Sequence, residues 1–179
     1  MSRLTIYSDD APDSPLLKTE EADVITRELN AIGVRFERWD SPVALSPDDD
    51  ADKILDAYRP YLNGLMGESG AGSADVIKLT PDHPQAAPLR EKFINEHRHT
   101  EDEVRFFVHG SGNFILHLNE RIYDAHCTAG DLISVPANVK HWFDAGERPF
   151  FTALRIFTDT SGWVPHFTGD DISTRFPAA

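Results

Sequence analysis

The chain has 179 residues, a length that suits one compact domain. Lys and Arg number 17 against 30 Asp and Glu, a formal charge of −13, which excludes a nucleic-acid binder or a protein docked on anionic lipid, since both depend on clustered cations. Apolar residues make up 40% of the chain, enough for a core and too many for wholesale disorder.

Leu4–Tyr7 reads as a short strand. Over Glu20–Ile32 the apolar residues Ile25, Leu29 and Ile32 recur at helical spacing behind an acidic first turn, and Gly33 can close the helix. Val34–Trp39 alternates like a strand. Asp50–Met66 carries Ile54, Leu55, Tyr58, Leu62 and Leu65 at helical spacing, with Pro60 expected to kink or split it. Asp75–Leu79 is a further strand, and Leu89–Ile94 a short helical or turn-like segment. The texture changes after residue 95. Glu103–His109, Phe114–His117, Ile122–His126, Leu132–Val135, Trp142–Phe143 and Phe151–Phe157 are apolar or β-branched runs, separated by Gly, Asn and Asp turns. Short strands at this spacing indicate a β-sandwich or barrel. The expected fold is mainly β with peripheral helices (α+β): an antiparallel jelly-roll barrel with helical decoration in its first half.

The ends and the cysteine are less informative. The first ten residues contain no apolar run of signal type. No stretch approaches the ~20 apolar residues of a bilayer span. Cys127 is the lone cysteine, so neither an intrachain disulfide nor a Cys-based zinc site can form. A cytoplasmic protein without membrane contact is the default expectation.

Six of the eight histidines, His97, His99, His109, His117, His126 and His141, fall within 45 residues. On an extended chain successive side chains alternate faces, so His97 and His99 project together and Glu103 shares their parity. His141, following Pro136, would bring a fourth donor from a distant strand. Three imidazoles and one carboxylate suit Fe(II), Ni(II), Mn(II) or Zn(II) better than Ca(II) or Cu(I). Glu101 has the same parity and is the rival carboxylate. His109, His117 and His126 lie in strand-like runs and read as bystanders; His83 and His166 read as solvent-facing. Arg105 follows Glu103 by two and should face the same cavity, where it could stabilise an anionic substrate or simply pair with an acidic neighbour. Glu96 has the opposite parity to His97. It could serve as a base if the chain bends there, or as a partner to a ligand histidine.

The order His97-x-His99-x3-Glu103-x6-Gly110, nineteen residues, then Gly130-x5-Pro136-x4-His141 resembles the two motifs of the cupin superfamily. Asn138 stands where Gly is usual and Ala145 where Asn is usual; Asn tolerates the left-handed conformation better than most residues. A closer resemblance covers nearly the whole chain, from about Leu4 to Phe176. Segments such as Leu89-Arg-Glu-Lys-Phe-Ile-Asn-Glu-His97, Glu101-Asp-Glu-Val-Arg-Phe-Phe107 and Phe167-Thr-Gly-Asp-Asp-Ile172 look like the bacterial acireductone dioxygenases.

That resemblance implies a single cupin domain over 1–179. It divides into a helix-rich part (about 1–95), a metal-binding barrel (about 96–160) and a C-terminal segment packed on the barrel. It implies one Fe(II) or Ni(II) per chain on His97, His99, Glu103 and His141, Arg105 at the substrate oxygens, and Phe93, Phe143, Arg155 and Trp163 around the substrate. Phe93, Phe143 and Trp163 could form an apolar wall for a methylthio tail. The implied reaction belongs to methionine salvage. It joins the acireductone 1,2-dihydroxy-3-keto-5-methylthiopentene to O2, with products set by the metal. The family also implies a monomer, with no nucleic-acid or membrane partner. The alternatives are another cupin metalloenzyme, an isomerase or a different dioxygenase, and a non-catalytic metal-binding cupin.

Overall fold

The computed structural model describes residues 1–69 and 72–177. In chain order the elements are β1 (Arg3–Ser8), β2 (Pro15–Thr19), α1 (Ala22–Ala31), β3 (Arg35–Arg38), α2 (Ala51–Ser69), β4 (Ser73–Leu79) and α3 (Ala86–Phe93). There follow β5 (His97–Arg98), β6 (Glu103–Leu118), β7 (Arg121–Thr128), β8 (Asp131–Val135), β9 (Lys140–Asp144), β10 (Phe151–Phe157) and β11 (His166–Phe167). Among the described residues no helix is long and apolar enough to cross a membrane.

Two antiparallel ladders share β6. One runs β11-β5-β9-β6-β7-β1-β2; in the other β6 pairs with β8 and β10, which carry β3 and β4 outside them. The result is an open barrel of jelly-roll type, mainly β with three helices outside, as expected. Strands β1, β3 and β4 come from the first 95 residues yet pair with β7, β8 and β10. The barrel core placed at about 96–160 therefore extends into the part expected to be decoration.

β6 is where the sequence expectation needs correcting. Gly110–Asn113 reads as a turn between two strands, but the chain continues as one 16-residue strand. Its first half pairs with β8 and β10, its second half with β7 and β9. The change of sheet follows a register shift, where Thr152 faces His109 but Ala153 faces Phe107, so β6 carries one extra residue. Gly110 then takes φ +70, and a Cβ on it would lie 1.9 Å from the Phe150 carbonyl oxygen. Only glycine fits there.

The helices bury the faces their periodicity marks. α1 adds Ile25 and Leu29 to the barrel interior beside Leu4, Phe36, Phe107 and Phe114. α2 lays Ile54, Tyr58, Leu62 and Leu65 over the outer face of the β6–β8–β10 ladder, against Phe106, Leu132 and Leu154. It continues as one helix through Pro60, so Pro60 does not split it. Pro60 is exposed, so the hydrogen bond it lacks falls on the solvent side, while the buried row keeps the helix seated. On the outer face of the other ladder, Ile172 and Phe176 pack on Ile115, Ile122 and Trp142. The two short strands without an apolar pattern, β2 and β11, had no sequence signal. Asn138 takes φ 66, the left-handed conformation its position demanded.

Gly110→Ala should cost at least ~2 kcal/mol, because it adds positive-φ strain to a backbone clash. A lowered urea midpoint checks this; an unchanged midpoint would show that the bend in β6 does not depend on glycine.

Candidate metal centre

Three short hydrogen-bonded links bring the histidines together. His97 on β5 pairs directly with His141 on β9 and with Phe167 on β11. The Asn138 amide donates to the His99 carbonyl at 2.8 Å. The His97 and His99 side chains share a face, as alternation requires. Ring centroids are 5.0 Å apart for His97–His99, 4.6 Å for His97–His141 and 5.2 Å for His99–His141. All three are buried, and one nitrogen from each falls within 4.8 Å of the others, an arrangement that could hold a metal ion.

Their protonation follows from their partners. Each Nδ1 faces a backbone carbonyl: Asn95 at 2.7 Å for His97, Val139 at 2.8 Å for His141 and Val164 at 3.3 Å for His99. A carbonyl only accepts, so Nδ1 carries a hydrogen, and in the neutral form of such a ring the lone pair is at Nε2. Burial, reinforced by His141, pushes His97 down to about 4, which keeps that ring neutral.

Glu103 Oε2 lies 2.8 Å from His141 Nε2 and 3.3 Å from His99 Nε2. A carboxylate and two such nitrogens are all acceptors. They come this close only around a shared cation, a proton or a metal ion. The donor set therefore fits a divalent metal of intermediate softness. Burial would push the Glu103 carboxyl up. The Arg105 charge and the contacts with His141 and His99 outweigh it and hold Glu103 well below the usual carboxylate range.

Arg105 Nη2 donates to Glu103 Oε1 at 3.0 Å. Arg105 is 3% exposed, and among the described residues its Nε and Nη1 have no hydrogen-bond partner. Its central carbon lies 5.4 to 6.0 Å from the ring centroids of Phe143, Trp163, Phe114 and Phe93. A narrow, largely apolar cavity opens beside it, lined among others by Phe93, Phe143, Ile77, Leu79 and Pro149. A buried cation with idle donors beside an apolar cavity suits a ligand with an anionic head and a greasy tail.

Other sequence candidates fall elsewhere. Both Glu96 oxygens are engaged, Oε1 by the Thr168 hydroxyl at 2.7 Å and Oε2 by His117 Nδ1 at 2.7 Å. Glu96 is thus tied to the C-terminal segment and to His117. His117, expected as a bystander, bridges it to Asp9. His109 bonds the Leu45 carbonyl and His126 bonds Asn113. Glu101 packs against Gly162 and lies outside the histidine cluster. Arg155 pairs with Asp75 through two hydrogen bonds of 2.8 and 2.6 Å and stacks 5.8 Å from Trp163, one strand away from Arg105. Sequence reasoning missed Phe114 at Arg105, and the three carbonyls that orient the imidazoles. Backbone groups leave no residue-type signal, and Phe114, nine residues from Arg105, reaches the same face only because the extra residue in β6 reverses the alternation.

Residues 3–165 match the model of the ARD/ARD' family. The chain is 70% identical to the acireductone dioxygenase of Granulibacter bethesdensis over 179 residues, covering all of both chains. It is 69% identical to that of Acidiphilium cryptum, covering all of this chain and 99% of the relative. Among solved structures it resembles the acireductone dioxygenase from Bacillus anthracis, determined with a cadmium ion in its active center. The TM-score is 0.83 at 30% identity, over 93% of this chain and 98% of that one. The family model and these full-length identities show that the chain belongs to the ARD/ARD' family.

Proposed function

We propose that this chain is a metal-dependent acireductone dioxygenase, with His97, His99, Glu103 and His141 as the ligands of one Fe(II) or Ni(II) and Arg105 as the group that holds the substrate anion. The observation that carries this reading is the meeting of four buried lone-pair donors beside a buried guanidinium with idle N–H groups. The substrate is 1,2-dihydroxy-3-keto-5-methylthiopentene. With Fe(II) it gives 4-methylthio-2-oxobutanoate and formate; with Ni(II), 3-methylthiopropanoate, formate and carbon monoxide. The same reading makes the chain one domain over 1–179, a cytoplasmic monomer with no partner beyond its small molecules.

The bound metal supplies Lewis acidity and a template that favours the ionised, electron-rich enediol over the neutral one. The chain supplies the rest. Carbonyls of Asn95, Val139 and Val164 fix the imidazole tautomers, so Nε2 is always the donating atom. Burial lowers the Arg105 pKa and the Glu103 carboxylate opposes that shift; the guanidinium offers Nε and Nη1 to substrate oxygens. Because Glu103 already takes Nη2, the guanidinium cannot turn away, and its orientation is set before substrate arrives. Phe93 and Phe143 hold the tail in the apolar cavity and keep water from the reacting carbons. Charge on Arg105 and apolar surface around it thus sort the two ends of one substrate.

Anaerobic mixing of Fe- or Ni-loaded protein with acireductone, followed by O2, tests the reaction. Uptake should exceed the metal-free background with both metals, with different products; background uptake with both would overturn the reading. His141→Ala should lose more than the ~10–100-fold in metal affinity typical of outer-sphere changes, and activity with it. A fully active H141A would remove His141 from the ligand set. Arg105→Ala should keep its metal, measured by elemental analysis, while kcat/KM falls by about 10²–10³. Joint loss of metal and turnover would make Arg105 a structural partner of Glu103 instead.

A further inference from the structure

Trp163 is placed differently from the other rings of the pocket. Phe93 and Phe143 line the apolar cavity. The indole instead stacks on His99, with centroids 6.2 Å apart, and lies 5.5 Å from the Arg105 guanidinium carbon. Phe157 packs edge-on against it at 4.6 Å and offers no acceptor. Its Nε1–H is buried and, among the described residues, has no hydrogen-bond partner. A buried donor left unpaired costs free energy that a ligand can recover.

Three idle donors therefore sit on two neighbouring side chains, Arg105 Nε and Nη1 and Trp163 Nε1, with the guanidinium carbon 5.5 Å from the indole centroid. A ligand that completes them must bring acceptors. An ionised enediol beside a ketone carries three contiguous oxygens and no N–H. We propose that Trp163 Nε1–H donates to an oxygen of the bound enediolate alongside Arg105, making Trp163 a polar contact to the reacting head and not an apolar wall for the tail. The proposal rests on the acireductone reading above.

The local fold holds Trp163 for that task. It ends a 3-10 turn over Thr160–Trp163, whose start is fixed by the Asp159 side chain accepting from the Ser161 amide at 2.9 Å. A Cβ on Gly162 would lie 2.0 Å from Glu101 Cγ and 2.6 Å from Glu101 Cβ, so only glycine lets the turn come this close to the ligand-bearing segment. The next residue, Val164, provides the carbonyl facing His99 Nδ1. One turn thus orients a ligand ring and the indole stacked on it.

Replacing Trp163 by β-(3-benzothienyl)alanine keeps the bicyclic shape and puts sulfur where the N–H stood. Anaerobic titration of the metal-loaded variant with acireductone should give a dissociation constant raised about 10–100-fold, the range for a hydrogen bond to a charged group. Metal content and thermal midpoint should stay at wild-type values, which separates a lost contact from a damaged fold. Trp163→Phe should show the same weakening. Wild-type affinity in the isostere would overturn the proposal, because only the donor has been removed. Failure of the wild-type protein to bind acireductone or take up O2 would instead overturn the functional reading beneath it.

Discussion

Three imidazoles and a carboxylate crowd together in the buried interior, with each imidazole Nδ1 facing a backbone carbonyl. The lone pairs that remain repel unless a cation sits among them. Much of the surrounding structure serves to hold this unfavourable convergence in place. β5, which carries His97, is only two residues long and could not keep its register alone; β9 pairs with it on one side and β11 on the other. Glu96 anchors that sandwich from behind. Its carboxylate takes a hydrogen bond from Thr168, and its backbone carbonyl another from the Thr168 amide. The C-terminal segment is therefore part of the site's scaffold.

The same constraint explains the company Arg105 keeps. Burying a guanidinium is costly, and Glu103 compensates for part of that cost through one of its oxygens while its other oxygen faces the histidines. Arg105 is left under-supplied with acceptors: Glu103 takes one N–H group, while Nε and Nη1 have no partner among the described residues. On the reading proposed above, an anionic ligand beside Arg105 corrects that imbalance. The overall charge of −13 has no part in this. Five basic and twelve acidic residues lie in the first fifty positions, which suits solubility, whereas the site depends on one buried cation and one buried anion.

The proposed ligands were legible in part from alternation, which pairs His97 with His99 and Glu103 with Arg105; across the bend at 100–101 parity fails, since Glu101 packs against Gly162 instead. Asn138 was legible for a similar reason, since few residue types accept positive φ. The helices were visible in their apolar rows. What escaped was whatever depends on long-range pairing. The bend at Gly110 looks like a turn until β8 and β10 are placed beside β6 on one side of it and β7 and β9 on the other. Pro60 looks like a break until the buried row beneath it is seen to hold the helix. Glu96 and Arg155 have residue types that suit catalysis, but Thr168, His117 and Asp75, distant in sequence, claim their polar atoms.

The central claim is that these four side chains form one cation site whose occupant is a metal ion. Calorimetric titration of the metal-stripped chain with Ni(II), with X-ray absorption on the product, tests it most directly. One ion per chain should bind, with three imidazole nitrogens in its coordination shell and a raised thermal midpoint. Binding that survives replacement of His97, His99 and His141 by alanine would contradict the claim, as would a coordination shell without imidazole.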